Sequence, residues 1–328
     1  MQKLSRAMIL AAGFGTRLGS LTSRRPKPML PICGAPLVRW SVLWLRAQGI
    51  REIVINLHHL GEQIEQELGD GSSLGVAIAY SREHGEILGT GGGLRRARAL
   101  LDDGHGSPFV VVNGKIMLDL ELAPVLAHHR ARAAEATMVL RPDPDAGRWG
   151  SLQLDERGDV VGMLGRVRPG ASPGEPLMFT GVHVLQPRFL DRVPPTGQQC
   201  IVRTAYRSLF DQGAGFAGYV SSRYWWEHST VERYLAGVRN VLSGVADLAH
   251  AERPVRGVDP SARVAPTAEI TGPVWVGRDV VIEEGARVGP NAQIGDGARV
   301  EAGVRVRDAV VWDGVCVSED SVGVVRAG

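Results

Sequence analysis

The sequence predicts an α/β domain with a mostly parallel, doubly wound, Rossmann-like sheet, followed by a left-handed parallel β-helix. Three observations predict this fold: strand-like and helix-like segments alternate over residues 7–250, a glycine loop follows the first strand, and a six-residue repeat begins at Val258. At 328 residues the chain is long enough for about two domains. We therefore place one domain at residues 1–250 and the second at residues 251–328.

The first domain is predicted from the alternation of buried-type strands with amphipathic helices. This order favours a mostly parallel sheet with helices on both faces, because parallel strands need a crossover connection. Ligands of such sheets bind beyond the carboxyl ends of the strands. The predicted strands are 6–12, 52–57, 76–80, 109–113 and 137–140. The predicted helices are 37–48, 61–68, 92–101, 121–132, 201–211 and 230–243.

The second domain is predicted from an apolar residue at every sixth position. This period is typical of a triangular β-helix in which three hexads make one coil. All nine histidines lie at or before His250, so the repeat lacks the histidine base that acyltransferases of this architecture use. We therefore expect a structural module through which copies of the chain form a homo-oligomer. The repeated positions are Val258, Val264, Ile270, Val276, Ile282, Val288, Ile294, Val300, Val306 and Trp312.

The composition excludes several classes of protein. Lys+Arg at 37 against Asp+Glu at 35 gives a formal charge of +2, so neither a nucleic acid nor a membrane is an expected partner. No apolar run reaches the ~18–20 residues of a membrane span. Cys33, Cys200 and Cys316 are odd in number and far apart, which excludes a disulfide framework and a CxxC metal site. A cytoplasmic protein is expected.

The segment after the first strand carries a phosphate-binding pattern. We expect its backbone N–H groups to cradle phosphates, while Arg17 and Lys27 add two cations suited to a polyphosphate. The alternatives are a tight turn for the glycines and a surface salt bridge for Arg17. Only Lys3, Lys27 and Lys115 are lysines among 37 basic residues. The nucleotide-contacting residues expected in this loop are Leu10, Ala11, Ala12, Gly13, Gly15 and Thr16.

Residues 13–31 resemble the signature of the sugar-1-phosphate nucleotidyltransferases, also called NDP-sugar pyrophosphorylases. That signature reads GxGxRL followed by a PKPM segment, and both are present here. The tail is similar to that of the mannose-1-phosphate guanylyltransferase and glucosamine-1-phosphate uridylyltransferase branches. Further segments that resemble the family's loops are 56–59, 85–93, 111–114, 179–182 and 227–234.

The resemblance implies that a sugar 1-phosphate attacks the α-phosphorus of a nucleoside triphosphate and that pyrophosphate leaves. It implies that Arg17 holds the β- and γ-phosphates, that Lys27 bridges the α-phosphate and the sugar phosphate, and that two carboxylates hold Mg²⁺. Further nucleotide contacts are implied for Gly89, Thr90, Gly91, Asn113 and Gly114. Sugar contacts are implied for Gly92, Thr180, Gly181 and Arg166, although a solvated loop is an alternative for Arg166.

The two metal positions depart from the family pattern. Lys115 stands where the family has an aspartate, and an ammonium group has no lone pair to offer a metal. Glu227 stands at the second position and moves the carboxylate out by one methylene. Asp119 and His228 are further candidate ligands, neither at the family's position. We expect Mg²⁺ to be bound mainly through the nucleotide phosphates.

Two interpretations of Lys115 stay open on the sequence. In the first, Lys115 replaces part of the charge of an aspartate–Mg²⁺ pair, and the chain is an active transferase for polysaccharide or glycan precursor synthesis. In the second, the metal site is lost, and the chain is a catalytically silent nucleotide-sugar-binding regulatory homologue. A lysine kept in an arginine-rich chain favours a role that needs a compact charge. The sequence does not fix the nucleobase or the sugar.

Overall fold

The computed structural model describes residues 5–213 and 215–328. Packing divides the described chain into two compact units that are interleaved in sequence. Unit 1 contains the described part of Met1–Phe14, together with Ser41–Gly114 and Leu120–Trp225. Unit 2 contains Gly15–Trp40, Lys115–Asp119 and Trp226–Gly328. The domain boundary at residue 250 stays a prediction, since these units follow spatial packing and the boundary follows sequence order.

A seven-stranded sheet forms the centre of unit 1. Six of its strands run in one direction, and Met178–Leu185 runs antiparallel to both of its neighbours. The predicted mostly parallel, Rossmann-like sheet is thus confirmed. The strand Phe109–Asn113 shows why, because its run of apolar and β-branched residues suits a strand that is buried on both faces. The spatial order is Phe216–Val220, Ala136–Arg141, Met178–Leu185, Phe109–Asn113, Arg6–Leu10, Glu52–Leu57 and Ala77–Arg82.

The helices follow the predicted order, with two local differences. The helix predicted at 92–101 begins at Gly89 and is interrupted at Ala97. The helix predicted at 201–211 begins as a π-helical turn, Val202–Tyr206, and continues as Arg207–Gln212. The other α-helices are Leu21–Arg24, Leu37–Ala47, Gly61–Leu68, Leu122–Ala131, Ala146–Trp149 and Val231–Ser243. The 3₁₀ turns are Thr16–Leu18, Lys27–Met29, Ser72–Leu74 and Pro187–Arg192.

The core of unit 1 lies where the sheet meets these helices. Tyr206 and Phe216 are fully buried there, with ring centroids 4.9 Å apart. Their contact anchors the π-helical turn to the sheet through aromatic packing. Beside the main sheet lies a small antiparallel one, formed by Leu152–Leu154, Val160–Met163 and Arg166–Val167.

Unit 2 contains the predicted β-helix, whose short parallel strands stack into three sheets. The first sheet is Gly257–Val258, Val274–Val276, Ala292–Ile294, Val310–Val311 and Val325–Arg326. The second is Arg263–Val264, Val281–Ile282, Arg299–Val300 and Cys316–Val317. The third is Glu269–Ile270, Arg287–Val288, Arg305–Arg307 and Ser321–Val322. Two short pairs complete the strands of the described chain: Pro31–Ile32 with Ala35–Pro36, and Ile116–Leu118 with Trp225–Glu227.

The predicted six-residue register ends before Trp312, which corrects the sequence analysis. Val276 pairs with Ile294, 18 residues on, but Ile294 pairs with Val311, only 17 residues on. Val311 therefore takes the core position predicted for Trp312. At the other end, Val258 and Val264 of the first coil are 41% and 37% exposed.

Within the described ranges, no helix has the length and apolar character needed to cross a lipid bilayer.

Candidate active site

Unit 2 brings together the three cations that the sequence singles out. Gly15 has φ +70°, a left-handed conformation that starts the turn Thr16–Leu18 and so directs Arg17. Lys27 begins the turn Lys27–Met29. Lys115 immediately precedes the strand Ile116–Leu118, which pairs with the strand that ends at Glu227.

Glu227 is the common partner in this cation cluster, which we define as Arg17, Lys27, Lys115 and Glu227. The Lys115 ammonium donates a hydrogen bond of 2.8 Å to Glu227 Oε1. The Arg17 guanidinium lies 3.7 Å from the same oxygen. The Glu227 side chain is only 17% exposed, so water screens these interactions less than at an open surface. Three cations against one carboxylate leave the cluster with excess positive charge.

The excess charge shifts the pKa values of two members. Burial, followed by repulsion from Lys115 and Arg17, lowers the pKa of Lys27 to about 8. Burial alone would raise the pKa of Glu227, but Lys115, Lys27 and Arg17 outweigh it and hold that pKa below its ordinary value. A cluster of this kind favours a polyanion, because an added phosphate relieves the repulsion between its cations.

Two residues that the sequence analysis did not assign to the site hold Glu227 in place. Arg233 Nε donates to the Glu227 carbonyl at 2.8 Å, and the Arg233 guanidinium stacks 4.2 Å from the ring centroid of Trp226. Trp226 Nε1 donates in return to the Arg233 carbonyl at 2.7 Å. Trp226 therefore supports Glu227 through its contacts with Arg233. This role differs from the stacking on a ligand that Trp residues often have. The sequence signal was an arginine six residues after Glu227, in the first turn of the helix predicted at 230–243.

His228 is fully buried. Its backbone N–H donates to the Lys115 carbonyl at 3.1 Å, which fixes Lys115 from the backbone side. Burial lowers the pKa of its imidazole to about 3, so the ring is neutral near pH 7. Its ring packs against Gly237, where an added Cβ would collide with the imidazole. These contacts pack His228 at the end of the strand, and its metal role stays a prediction.

The cation cluster does not fit a divalent cation held by its own residues. Mg²⁺ selects several oxygen ligands in octahedral geometry, and Glu227 is the carboxylate of the cluster. Its Oε1 atom already accepts from Lys115 and faces Arg17. In the described residues, no group of three or more His, Cys, Asp or Glu side chains is placed to hold a metal ion. Asp119 is half-buried after the strand Ile116–Leu118, and its metal role stays a prediction.

In unit 1, a buried polar chain joins the first loop to the glycine-rich segment. The Ala11 N–H donates to Asn56 Oδ1 at 2.8 Å, and Asn56 Nδ2 donates to Glu83 Oε1 at 2.7 Å. Glu83 Oε2 then accepts from the Leu88 N–H at 2.8 Å. Asn56 and Glu83 are 3% and 5% exposed, so this chain rigidifies both loops. The sequence analysis noted the segment around Asn56 but gave Glu83 no role.

The glycines of the segment 89–93 have a packing reason of their own. A Cβ on Gly89 would lie 2.7 Å from the Gln199 carbonyl oxygen, and Gly91 N–H donates to that oxygen at 2.8 Å. Thr90 Oγ1 accepts from the Ile201 N–H at 3.0 Å. Thr90 is exposed, whereas Gly92 is buried. The nucleotide and sugar contacts predicted for these residues stay predictions.

The end of the strand Phe109–Asn113 meets a bend in the antiparallel strand. Gly181 has φ +84°, and a Cβ there would lie 2.9 Å from Asn113 Cγ. Gly114 N–H donates to the Leu10 carbonyl at 2.9 Å. Thr180 is 5% exposed, and its hydroxyl donates to the Val139 carbonyl at 2.8 Å, so its side chain is turned into the sheet. The structure thus places Leu10, Gly114, Asn113 and Gly181 at one edge of the sheet.

The remaining predicted residues differ in their exposure. Gly13, Thr16 and Arg17 are exposed, while Ala11 and Ala12 are buried beneath the loop. Arg166 is exposed, and its guanidinium donates to Asp211 Oδ1 at 2.7 Å. This ion pair lies on the small antiparallel sheet, and the sugar contact predicted for Arg166 stays a prediction.

Comparison with known proteins assigns the chain to a family. Residues 6–240 match the nucleotidyl transferase family, and residues 273–308 match the bacterial transferase hexapeptide repeat. The chain belongs to the nucleotidyl transferase family. The match confirms the predicted family and the predicted hexapeptide β-helix.

The relatives that match are named for reactions of sugar 1-phosphates. The chain is 32% identical to a mannose-1-phosphate guanylyltransferase of Mycobacterium tuberculosis, over 96% of this chain and 82% of that protein. It is 39% identical to an N-acetylmuramate α-1-phosphate uridylyltransferase of Neisseria meningitidis, over 57% of this chain and 78% of that protein. The fold is similar to that of HddC from Yersinia pseudotuberculosis, with a TM-score of 0.58, 24% identity, and coverage of 72% of this chain and 99% of that chain. The prediction of a nucleotidyltransferase of the sugar-1-phosphate type is confirmed.

Proposed function

We propose that this chain joins a nucleoside triphosphate and a sugar 1-phosphate into a nucleoside diphosphate sugar, with Arg17, Lys27 and Lys115 as its catalytic cations. The observation that carries this proposal is the cation cluster, which gathers these three side chains around Glu227. In the reaction, a phosphate oxygen of the sugar 1-phosphate forms a bond to the α-phosphorus. The bond between the α-phosphorus and the bridging oxygen to the β-phosphate breaks, and pyrophosphate leaves with the electron pair.

Each cation has a distinct task in this scheme. Arg17 is exposed and its guanidinium group is planar, which suits bidentate contact with the β- and γ-phosphates that depart as pyrophosphate. Lys27 is buried and offers a compact charge between the α-phosphate and the sugar phosphate. Two phosphate anions repel each other on approach, and a fixed ammonium between them lowers the barrier by charge neutralisation.

Lys115 supplies charge at the position where the family has an aspartate. An aspartate with Mg²⁺ carries the same net charge as one ammonium group, so the field on the α-phosphate is preserved without a protein-held metal. Glu227 keeps Lys115 in place through the hydrogen bond of 2.8 Å. Mg²⁺ then belongs to the substrate, since it accompanies the triphosphate through its phosphate oxygens.

The contacts to the base and to the sugar are proposed from the family resemblance. The family resemblance gives Gly89, Thr90, Gly91 and Asn113 to the nucleotide, and Gly92, Thr180 and Gly181 to the sugar. The relatives use guanylyl or uridylyl groups and mannose or N-acetylmuramate phosphates, so they support no single pair. We further propose that copies of the chain associate through the β-helix.

Pyrophosphate release tests the proposal. Purified protein is mixed with each combination of four nucleoside triphosphates and a panel of sugar 1-phosphates, with Mg²⁺ or with EDTA. We expect release for one or a few pairs in Mg²⁺, and none from Lys27→Ala protein that keeps its circular dichroism spectrum. Silence across the panel, from folded protein that binds a nucleotide sugar in calorimetry, would instead identify a regulatory homologue. Unchanged release from Lys27→Ala would remove Lys27 from the mechanism.

A further inference from the structure

The first sheet of the β-helix differs from the other two sheets, because side chains that point outward from it are buried. Trp275, Gln293 and Val310 occupy matching positions on three successive strands of the first sheet. Their side chains point away from the β-helix core, because the residues on either side of Trp275 and Gln293 lie in that core. Yet the three are only 4%, 1% and 1% exposed. On the other two sheets, the outward residues Arg287, Arg299 and Arg305 are exposed.

The segment that follows Lys27 covers this face. Gln293 Oε1 accepts from the Cys33 N–H at 2.9 Å, and Gln293 Nε2 donates to the Pro31 carbonyl at 3.1 Å. Gly34 packs against the Trp275 ring, so closely that a Cβ on Gly34 would lie 2.7 Å from a ring carbon. The segment and the β-helix face belong to the same compact unit.

A second side chain, from the last helix of unit 2, binds the same Pro31 carbonyl. The fully buried Tyr234 hydroxyl donates to the Pro31 carbonyl at 2.6 Å. Trp312 Nε1 donates to the Tyr234 oxygen at 3.3 Å. Both lone pairs of the Pro31 carbonyl are therefore used, one by Gln293 and one by Tyr234.

Gln293 is the polar member of an otherwise apolar set. A buried primary amide is costly unless its donor and its acceptor are both satisfied. Here the acceptor takes a backbone N–H and the donor meets a backbone carbonyl two residues earlier in the same segment. This paired recognition holds the segment in one register against the β-helix, which an aliphatic side chain could not do.

Because the backbone between Lys27 and Pro31 is short and constrained, the position of Pro31 also sets the position of the Lys27 ammonium group. The turn Lys27–Met29 is closed by Met29 N–H to the Pro26 carbonyl at 2.7 Å and Leu30 N–H to the Lys27 carbonyl at 3.1 Å. Prolines at 26, 28 and 31 each fix one φ angle in this stretch. The backbone from Lys27 to Pro31 has little freedom of its own.

We propose that Gln293 is a positioning residue, which clamps Pro31 and Cys33 to the β-helix so that Lys27 is held in the cation cluster. The kinetic consequence rests on the proposed function. A misplacement of ~1 Å in a group that neutralises the transition state costs about a hundredfold in rate. Lys27 acts on the reacting phosphates, so the loss falls on kcat, while KM for the triphosphate changes little.

Lysine labelling tests the placement without any turnover. The variant is Gln293→Leu, which removes both hydrogen bonds at similar volume. The matched control is Ser321→Ala, which removes a buried hydroxyl from another sheet of the same β-helix, where it bonds Glu319 and Arg326. The rate at which an amine-reactive reagent modifies Lys27 is followed by mass spectrometry of the digested protein. Lys27 is 6% exposed, so the parent protein reacts slowly.

We expect about a tenfold faster modification of Lys27 in Gln293→Leu, and no change in Ser321→Ala. In the pyrophosphate assay we expect kcat to fall about a hundredfold for Gln293→Leu with KM within a few-fold of the parent. Faster modification of Lys27 in Gln293→Leu, together with no turnover by the parent protein, would uphold the clamp and reject the proposed function. Unchanged modification in folded Gln293→Leu protein would overturn the clamp, whatever the enzyme does.

Tyr234→Phe provides a second route if Gln293→Leu does not fold. It removes the hydroxyl that donates to the Pro31 carbonyl and keeps the ring in the core. We expect faster modification of Lys27 in the same direction, with a smaller amplitude. Parent-like modification of Lys27 in folded Tyr234→Phe protein would likewise overturn the clamp.

Discussion

The pKa of Lys27 gives a sharp prediction for the pH dependence of activity. Burial and the charges of Lys115 and Arg17 lower this pKa to about 8, while Glu227 opposes them. The ammonium form is the form that neutralises phosphate charge. Activity should therefore fall as the pH rises through the pKa of Lys27, in a range where an ordinary lysine would still be protonated.

The size of the fall follows from the titration curve. With a pKa of about 8, about nine-tenths of Lys27 is protonated at pH 7 and about one-tenth at pH 9. The profile of kcat/KM reports the free enzyme, in which the structure gives this pKa. We therefore expect kcat/KM to drop about tenfold between pH 7 and pH 9.

The assay is steady-state pyrophosphate release at saturating Mg²⁺, measured from pH 6.5 to pH 9.5 for the parent protein and two variants. Lys27→Arg keeps a charge that does not titrate in this range, so its residual kcat/KM should stay flat. Lys115→Ala removes a neighbouring positive charge, so the alkaline limb of its own profile should move to higher pH. A flat profile in the parent, or the same limb in Lys27→Arg, would refute the assignment of this limb to Lys27.

Two further predictions concern Lys115 and His129. If Lys115 acts through its charge, Lys115→Ala should lose far more of kcat than Lys115→Arg in the pyrophosphate assay; equal losses would contradict that role. His129 is 1% exposed, and burial lowers its pKa to about 4. Its protonation favours the unfolded chain, so the free energy of unfolding should fall by about 2 kcal/mol between pH 7 and pH 5, and the loss should continue down to about pH 4. Urea titrations of the parent and of a folded His129→Gln variant check this, and an equally steep loss in the variant would show that other groups are responsible.

Much of the fold was predictable because its signals are periodic. The six-residue repeat predicts the coils from Val276 to Val306, since each hexad places one aliphatic side chain in the core. It fails at Trp312, because one coil is a residue shorter and periodicity alone does not reveal a deletion. Residues 89–91 were expected in a loop before the helix predicted at 92–101, yet they form the first turn of that helix. Glycine's low helix propensity was overridden there by close packing on Gln199.

The candidate site was predictable where chemistry sits in short motifs. Arg17, Lys27 and Lys115 could be named from local patterns, and the structure gathers them around Glu227. Their supports could not be named, because they depend on tertiary contacts. Arg233 acts through the Glu227 carbonyl, and Gln293 lies more than 250 residues from the backbone that it binds. An outward-facing position in a β-helix repeat is normally solvated, so sequence reasoning had no reason to treat Gln293 as different.

The covered face of the β-helix limits where residues can be inserted into or deleted from this chain. Successive coils are stacked about 4.8 Å apart, so deleting one coil between Trp275 and Val310 would displace every later contact by that distance. The first coil is joined to the same face, because Gly257 pairs with Trp275 and the Pro254 carbonyl accepts from Trp275 Nε1 at 3.2 Å. An insertion inside the stretch must be matched by a change near Pro31, and one before Trp275 by a change near Pro254. The repeat is therefore fixed in length where it meets the segment that carries Lys27.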